Sequence, residues 1–177
     1  MKLSTKTTSV IAGAGAVAAA AAVALWLYLA SAPQAAPQVT FATLKGELIR
    51  TGDLRGKVTL VNFWATSCAP CVKELPGIAA AYKKYHAQGF ETIAVAMEYD
   101  RPDYVKNFTE RHQLPFKIAL DARGEIAKEF GKVNGEVRVV PTSFVIDKQG
   151  RIIKRYLGEL DFVKFEALLV AALKEAA

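Results

Sequence analysis

Two cysteines, Cys68 and Cys71, are the only ones in the chain, and they stand together in FWATSCAPC, residues 63–71. A C-x-x-C pair admits three chemistries: a structural cross-link, half of a metal site, or a thiol–disulfide exchange centre. A cross-link over this interval closes a loop of about four residues, for which chain entropy supplies roughly 2 kcal/mol, the low end of what disulfides give. A closed zinc site wants four ligands. The sequence has no second C-x-x-C, and apart from carboxylates only His86 and His112 could join the pair. Exchange chemistry asks for less: a thiolate at one sulfur and a second sulfur within reach.

The flanking elements suit exchange. VTLVNFW (58–64) is a nearly continuous β-branched and aromatic run, the pattern of a strand buried on both faces, and it leads straight into the cysteines. From Ala69 to about Ala87, Val72, Leu75, Ile78, Ala79 and Tyr82 recur at helical spacing, with Pro76 inside the pattern predicting a kink. A helix starting near Cys68 places that sulfur against unpaired N–H groups and the positive end of the dipole, which favour thiolate over thiol. Cys71 falls on the same face one turn further in, shielded but within reach. Cys68 is then the attacking sulfur and Cys71 the resolving one. Pro70 lacks an N–H and has φ preset for a first helical turn, so it suits its place between them.

Further elements must carry this junction. VTFATLKGELIRTGDLRGK alternates around Gly46 and reads as a short hairpin, ETIAVAM (91–97) as a second buried strand, and FKIALD as a third. A helix starts at Pro102, with Asp103 in its first turn, and runs to about 112. EIAKEFG reads as a short helix ended by Gly131. EYDRPD (98–103) is a polar loop at a strand end near the cysteines. TSFVID and RIIKRYLG flank Lys148-Gln149-Gly150 as an antiparallel hairpin, and Asp161 caps a last helix with one apolar stripe, Phe162 to Leu173. Helices interleaved with buried strands make an α/β fold, a central sheet covered on both faces.

Composition narrows the class. With 52% hydrophobic and 23% charged residues the chain is globular. The net charge of +6 comes from scattered Lys and Arg without a basic tract, which argues against nucleic acid as a partner. Residues 10–30 carry no charge, and a helix rising about 1.5 Å per residue over that length would cross a hydrocarbon layer roughly 30 Å thick. Lys2 and Lys6 precede it and no basic residue follows until Lys45, so residues 1–9 are expected in the cytoplasm and the rest outside. Ala30-Ser31-Ala32 has the form of a signal-peptide cleavage site, so residues 10–31 are a transmembrane anchor or a cleaved signal. Both export the domain. Pro, Ala and Gln over 32–38 read as a linker, and the domain is expected over 39–177.

VNFWATSCAPCVKELP resembles the active-site segment of thioredoxin-like proteins, and within them the membrane-anchored TlpA/ResA/CcmG group, whose pattern is close to F-W-A-x-x-C-x-P-C-x-x-E-x-P. VVPTSFVIDKQGRII is similar to that family's cis-proline loop and the hairpin after it. The resemblance implies a thioredoxin-like fold, a central mixed sheet flanked by helices with an N-terminal hairpin and a transmembrane helix. It implies that Glu74 sits beneath the disulfide as proton acceptor or pKa tuner for the buried thiol. Asn62 then stands where ordinary thioredoxins carry a buried aspartate. Pro141 would have a cis peptide that leaves backbone groups open to an extended substrate. Val140, Pro70 and Trp64 are expected around the client, with Trp64 also suited to packing under the turn or in the core. Ser67, where many relatives have tryptophan, makes the apolar rim smaller.

The activity so implied is a thiol:disulfide oxidoreductase of the bacterial inner membrane, single-pass, with its domain on the periplasmic or extracytoplasmic side. It would act mainly as a reductant, using the Cys68–Cys71 pair and no other cofactor. Implied clients are disulfide-bearing proteins in cytochrome c maturation or oxidase copper-site assembly, and the implied donor is a membrane thiol-transfer protein of the DsbD/CcdA type. Two alternatives stay open: an oxidant that forms disulfides with the same atoms, and a carrier of Cu(I), which soft thiolates favour.

Overall fold

A strand buried on both faces must sit mid-sheet, and VTLVNFW does. In the computed structural model, which describes residues 22–23 and 33–176, β4 (Val58–Trp64) pairs in parallel with β5 (Phe90–Ala96) and antiparallel with β7 (Thr142–Ile146). The remaining strands are β1 (Gln34–Ala35), β2 (Thr40–Ala42), β3 (Leu48–Arg50), β6 (Lys117–Leu120) and β8 (Arg151–Leu157). The main sheet has the order β1-β8-β7-β4-β5-β6, while β2 and β3 form a separate hairpin tied to β6 by a bridge from Thr43 to Ala119. The sheet is mixed, as the resemblance implies.

Two parallel connections need crossovers, and helices supply them. Helix α1 (Ala69–Tyr85) joins β4 to β5, and α2 (Pro102–Arg111) joins β5 to β6; α3 (Glu125–Asn134) and α4 (Phe162–Lys174) follow. Alternation along each strand divides the interior in two. Leu60 and Trp64 of β4 pack with Leu75 and Ile78 of α1, Val105 of α2 and Phe165 and Leu169 of α4. Val61 and Phe63 face the other way, towards Ile126 and Phe130 of α3 and Phe41 of β2. The Asp161 carboxylate accepts the Lys164 backbone N–H at 3.2 Å and starts α4 as the sequence suggests.

Two details differ from the sequence reading, while Pro76 lies inside its helix as expected. Gln34 and Ala35 lie inside the expected linker, yet they pair with Ile152 and Arg151. The Ala36 N–H adds a bond to the Gly150 carbonyl at 2.9 Å. The sheet therefore begins at Gln34 instead of Val39; the three residues between Pro33 and Pro37 leave room only for a short edge strand, where proline is tolerated. Helix α3 runs past Gly131 to Asn134 and stops at Gly135, where φ is +86°. A Cβ at position 131 would lie 3.2 Å from the Glu136 Cα, so that glycine permits close chain approach. Pro76 lies within α1, which continues as a helix to Tyr85.

Gln34–Ala177 form one compact unit. The expected cytoplasmic start and membrane segment, residues 1–31, lie outside the described residues apart from 22–23. Among the described residues no helix is long and apolar enough to cross a membrane.

Phe165 fixes the start of α4 against the sheet: it is fully buried, and its ring contacts those of Phe90, Tyr156 and Phe162. Phe165→Ala is expected to cost about 3–5 kcal/mol, the usual penalty for emptying a buried aromatic site, as measured by equilibrium urea unfolding. A loss below about 1 kcal/mol would mean that α4 does not depend on this seat.

Candidate active site

The end of β4 delivers Cys68 to the N-cap of α1. Its backbone is extended (φ −91°, ψ 100°), and its Sγ accepts the N–H of Cys71 at 3.3 Å. Serine, threonine or aspartate normally caps a helix this way; here a sulfur does. Pro70, exposed in the first turn, has no N–H to satisfy. Cys68 and Cys71 are joined in a disulfide with Cα atoms 5.2 Å apart. Cys68 is half-buried and Cys71 is fully buried, so a partner molecule can reach only the first sulfur.

The loop before β7 closes the other side. The Val140–Pro141 peptide is cis, and the Val140 carbonyl oxygen lies 3.6 Å from Cys68 Sγ. The Gly158 N–H bonds to the Pro141 carbonyl at 2.9 Å, tying this loop to the end of β8. Val140 is half-buried, while Val139 next to it is 59% exposed. The loop thus presents Val139 to solvent next to Val140, whose carbonyl neighbours Cys68. Trp64 does not share that surface. It is fully buried and packs against Phe108, with ring centroids 5.4 Å apart, so its expected contact with a client is replaced by support beneath the turn.

One turn along α1 from Cys71 lies a buried polar network. Glu74 is 2% exposed. Its Oε1 accepts a hydrogen bond from Asn62 Nδ2 at 2.8 Å, and its Oε2 accepts the Leu160 N–H at 3.0 Å. Asn62 Nδ2 donates also to Ser143 Oγ at 2.9 Å. Burial pushes the Glu74 carboxyl above the ordinary glutamate value, and nearby Glu159 adds to the rise; the Leu160 N–H and the Asn62 amide hold it back in part. Being three residues on from Cys71, Glu74 shares its helical face. A carboxyl whose proton affinity is raised towards that of a thiol is better matched to take a proton from one.

Thr66, Asp100, Ser143 and Leu160 also belong to the site, and the sequence alone gives none of them a role. Asp100, from the loop judged merely polar, is buried and grips the residue two before Cys68. Its Oδ2 accepts the Thr66 N–H at 2.5 Å and its Oδ1 the Thr66 hydroxyl at 2.7 Å. This carboxylate braces the turn from the side opposite the cis-proline loop. The one signal was an acidic residue just past the end of a buried parallel strand, where ligands and functional loops gather. Among the described residues no group of three or more His, Cys, Asp or Glu side chains could hold a metal ion.

Two outcomes follow for the carboxyls. Asp100→Ala leaves both Thr66 donors without their acceptor and is expected to cost about 1–3 kcal/mol in urea unfolding. For Glu74, a folded-state value above the unfolded one contributes stability below the ordinary glutamate range, lost as pH rises through the raised value. Glu74→Gln has no such loss, so its stability relative to the native chain should rise with pH across that window. Parallel curves from unfolding at stepped pH would contradict this.

The comparisons with known proteins agree with this geometry. A family model described as Redoxin matches residues 31–169. The chain is 41% identical over 125 residues to the thiol-disulfide oxidoreductase ResA of Bacillus thuringiensis subsp. konkukian, covering 70% of this chain and 68% of that one. The ResA protein of Bacillus subtilis is 32% identical over 125 residues, 71% of this chain and 66% of its own length. Among solved structures, a thiol:disulfide interchange protein of the thioredoxin family from Chlorobium tepidum superposes with a TM-score of 0.73 at 29% identity, covering 81% of this chain and 98% of that one. The chain belongs to the redoxin family and is a thioredoxin-like thiol:disulfide oxidoreductase carrying a Cys68–Cys71 pair.

Proposed function

We propose that the chain is an extracytoplasmic, membrane-anchored reductant of protein disulfides. The observation that carries this reading is the unequal pair: Cys68 half-buried at a helix N-cap and Cys71 sealed beneath it. In the reduced protein the Cys68 thiolate attacks one sulfur of a client disulfide; the client S–S bond breaks and its other sulfur leaves as a thiolate that takes a proton. Cys71 gives its proton to Glu74 and its thiolate attacks Cys68 Sγ; the mixed S–S bond breaks and the second client sulfur leaves as a thiolate that takes a proton. The client gains two electrons and the Cys68–Cys71 disulfide forms. A membrane dithiol donor of the DsbD/CcdA type returns the electrons.

Val139, Val140 and Pro70 form the surface against which the client lies, its backbone paired to the loop at Pro141. Residues 10–30 supply the anchor that keeps the domain at the outer face of the bacterial inner membrane, single-pass. The clients are cysteine pairs that must be reduced before they are filled, at haem sites of c-type cytochromes or copper sites of oxidases. The names of the ResA relatives support the reaction class, and the charge-free stretch supports the address. The exchange itself needs no cofactor beyond the two sulfurs.

The test is the reduction potential of the pair, equilibrated against thiol buffers. A value near or below about −220 mV makes the protein a reductant, whereas one near about −120 mV would make it an oxidant and overturn this reading. Cys71→Ser adds a second check. It is expected to accumulate a client mixed disulfide through Cys68, and failure to trap any protein through that sulfur would remove the client step.

A further inference from the structure

Asn62 is an unusual residue to bury at the centre of a sheet. It is fully buried on β4, and both hydrogen bonds of its amide come from Nδ2, one to Glu74 Oε1 and one to Ser143 Oγ. Its Oδ1, also buried, has no hydrogen-bond partner. An amide that spends both hydrogens on two oxygens and leaves its own oxygen empty suits an ionised Glu74, which can only accept.

A proton on Glu74 changes what the network needs. Oε2 already receives the Leu160 N–H, so the oxygen left to carry a hydrogen along an existing bond is Oε1, which faces Asn62. Donor would then meet donor. Ser143 is a hydroxyl, able to accept or to donate. Turning the Asn62 amide by half a rotation puts Oδ1 where Nδ2 stood, to receive Glu74 Oε1–H and Ser143 Oγ–H together. The amide makes two hydrogen bonds before and two after, and one end of it stays unpaired in each state. Replacement of either partner by an apolar residue would abolish that equivalence.

We infer that Asn62 and Ser143 are positioning residues that act through Glu74: the amide turns over and the hydroxyl reverses its hydrogen each time Glu74 takes up or returns a proton. Glu74 then exchanges a proton in a buried site without losing a hydrogen bond. The groups facing it are Asn62 from β4, itself bonded to Ser143 of β7, and the Leu160 N–H with Glu159 from the segment before α4; Glu159 is itself paired with Lys73 of α1 at 2.8 Å.

This inference rests on Glu74 being the proton-carrying group of the site, and one experiment separates the two. The full-length chain, labelled with 13C and 15N, is titrated with acid while the Glu74 carboxyl carbon and the Asn62 side-chain NH2 pair are followed by NMR. Expected is a single midpoint: as the Glu74 carbon shifts, both Asn62 amide protons move upfield and lose protection from solvent exchange. In Glu74→Gln, whose retained chemical-shift dispersion shows that it is folded, the Asn62 protons should stay still. If the Glu74 carbon titrates while the Asn62 protons keep their shifts and protection, the switch is overturned and the role of Glu74 survives. A Glu74 carbon that never titrates overturns both, and Asn62 protons that still move in Glu74→Gln assign the motion to another group.

Discussion

One hydrogen bond organises this molecule: the N–H of Cys71 to Cys68 Sγ, 3.3 Å long, at the first turn of α1. Helix starts leave N–H groups without partners, and the cap that normally serves them is a fixed oxygen. Putting a sulfur there ties redox state to helix geometry, since a thiolate in that place accepts the same bond with a full charge behind it. The arrangement works only if the sulfur is held where the strand hands over to the helix. Much of the surrounding structure can be understood as that holding. Asp100 grips Thr66 from one side, and the Val140 carbonyl stands 3.6 Å from Cys68 on the other.

The second feature is a carboxyl where none should be stable. Burying Glu74 is unfavourable for its charged form, and the fold offsets this with two donors, a backbone N–H from the segment just before α4 and the Asn62 amide. Offset is incomplete, which is why the proton is held more tightly than in water. That tension suits a group that handles a proton for a buried thiol. It also explains why α4 matters to the chemistry: Phe165 seats the helix, and the helix start places Leu160 over Glu74.

How far the sequence could be read follows from how local each signal is. The strand at 58–64, the helix opened by Cys68 and Pro70, and the Asp161 cap are local patterns, and the structure has each of them. The cis peptide at Pro141 came from the resemblance of its loop. What escaped depends on distance. Thr66 and Asp100 are 34 residues apart, and the Leu160 N–H meets Glu74 across 86, with nothing in the backbone donor to betray it. Gln34–Ala35 show no periodicity in two residues, and only the edge of β8 makes them a strand. Of the two places the sequence allows Trp64, the client surface and the core, the structure has the second, in keeping with a strand buried along its whole length.

The claim on which all of this turns is that the two sulfurs are unequal, Cys68 presented and Cys71 sealed. Brief alkylation of the reduced protein, followed by peptide mapping, measures it directly. The account predicts that label enters Cys68 well before Cys71 while the chain is folded and enters both alike once it is unfolded. Equal labelling of the two in the folded protein, or label first on Cys71, would contradict it.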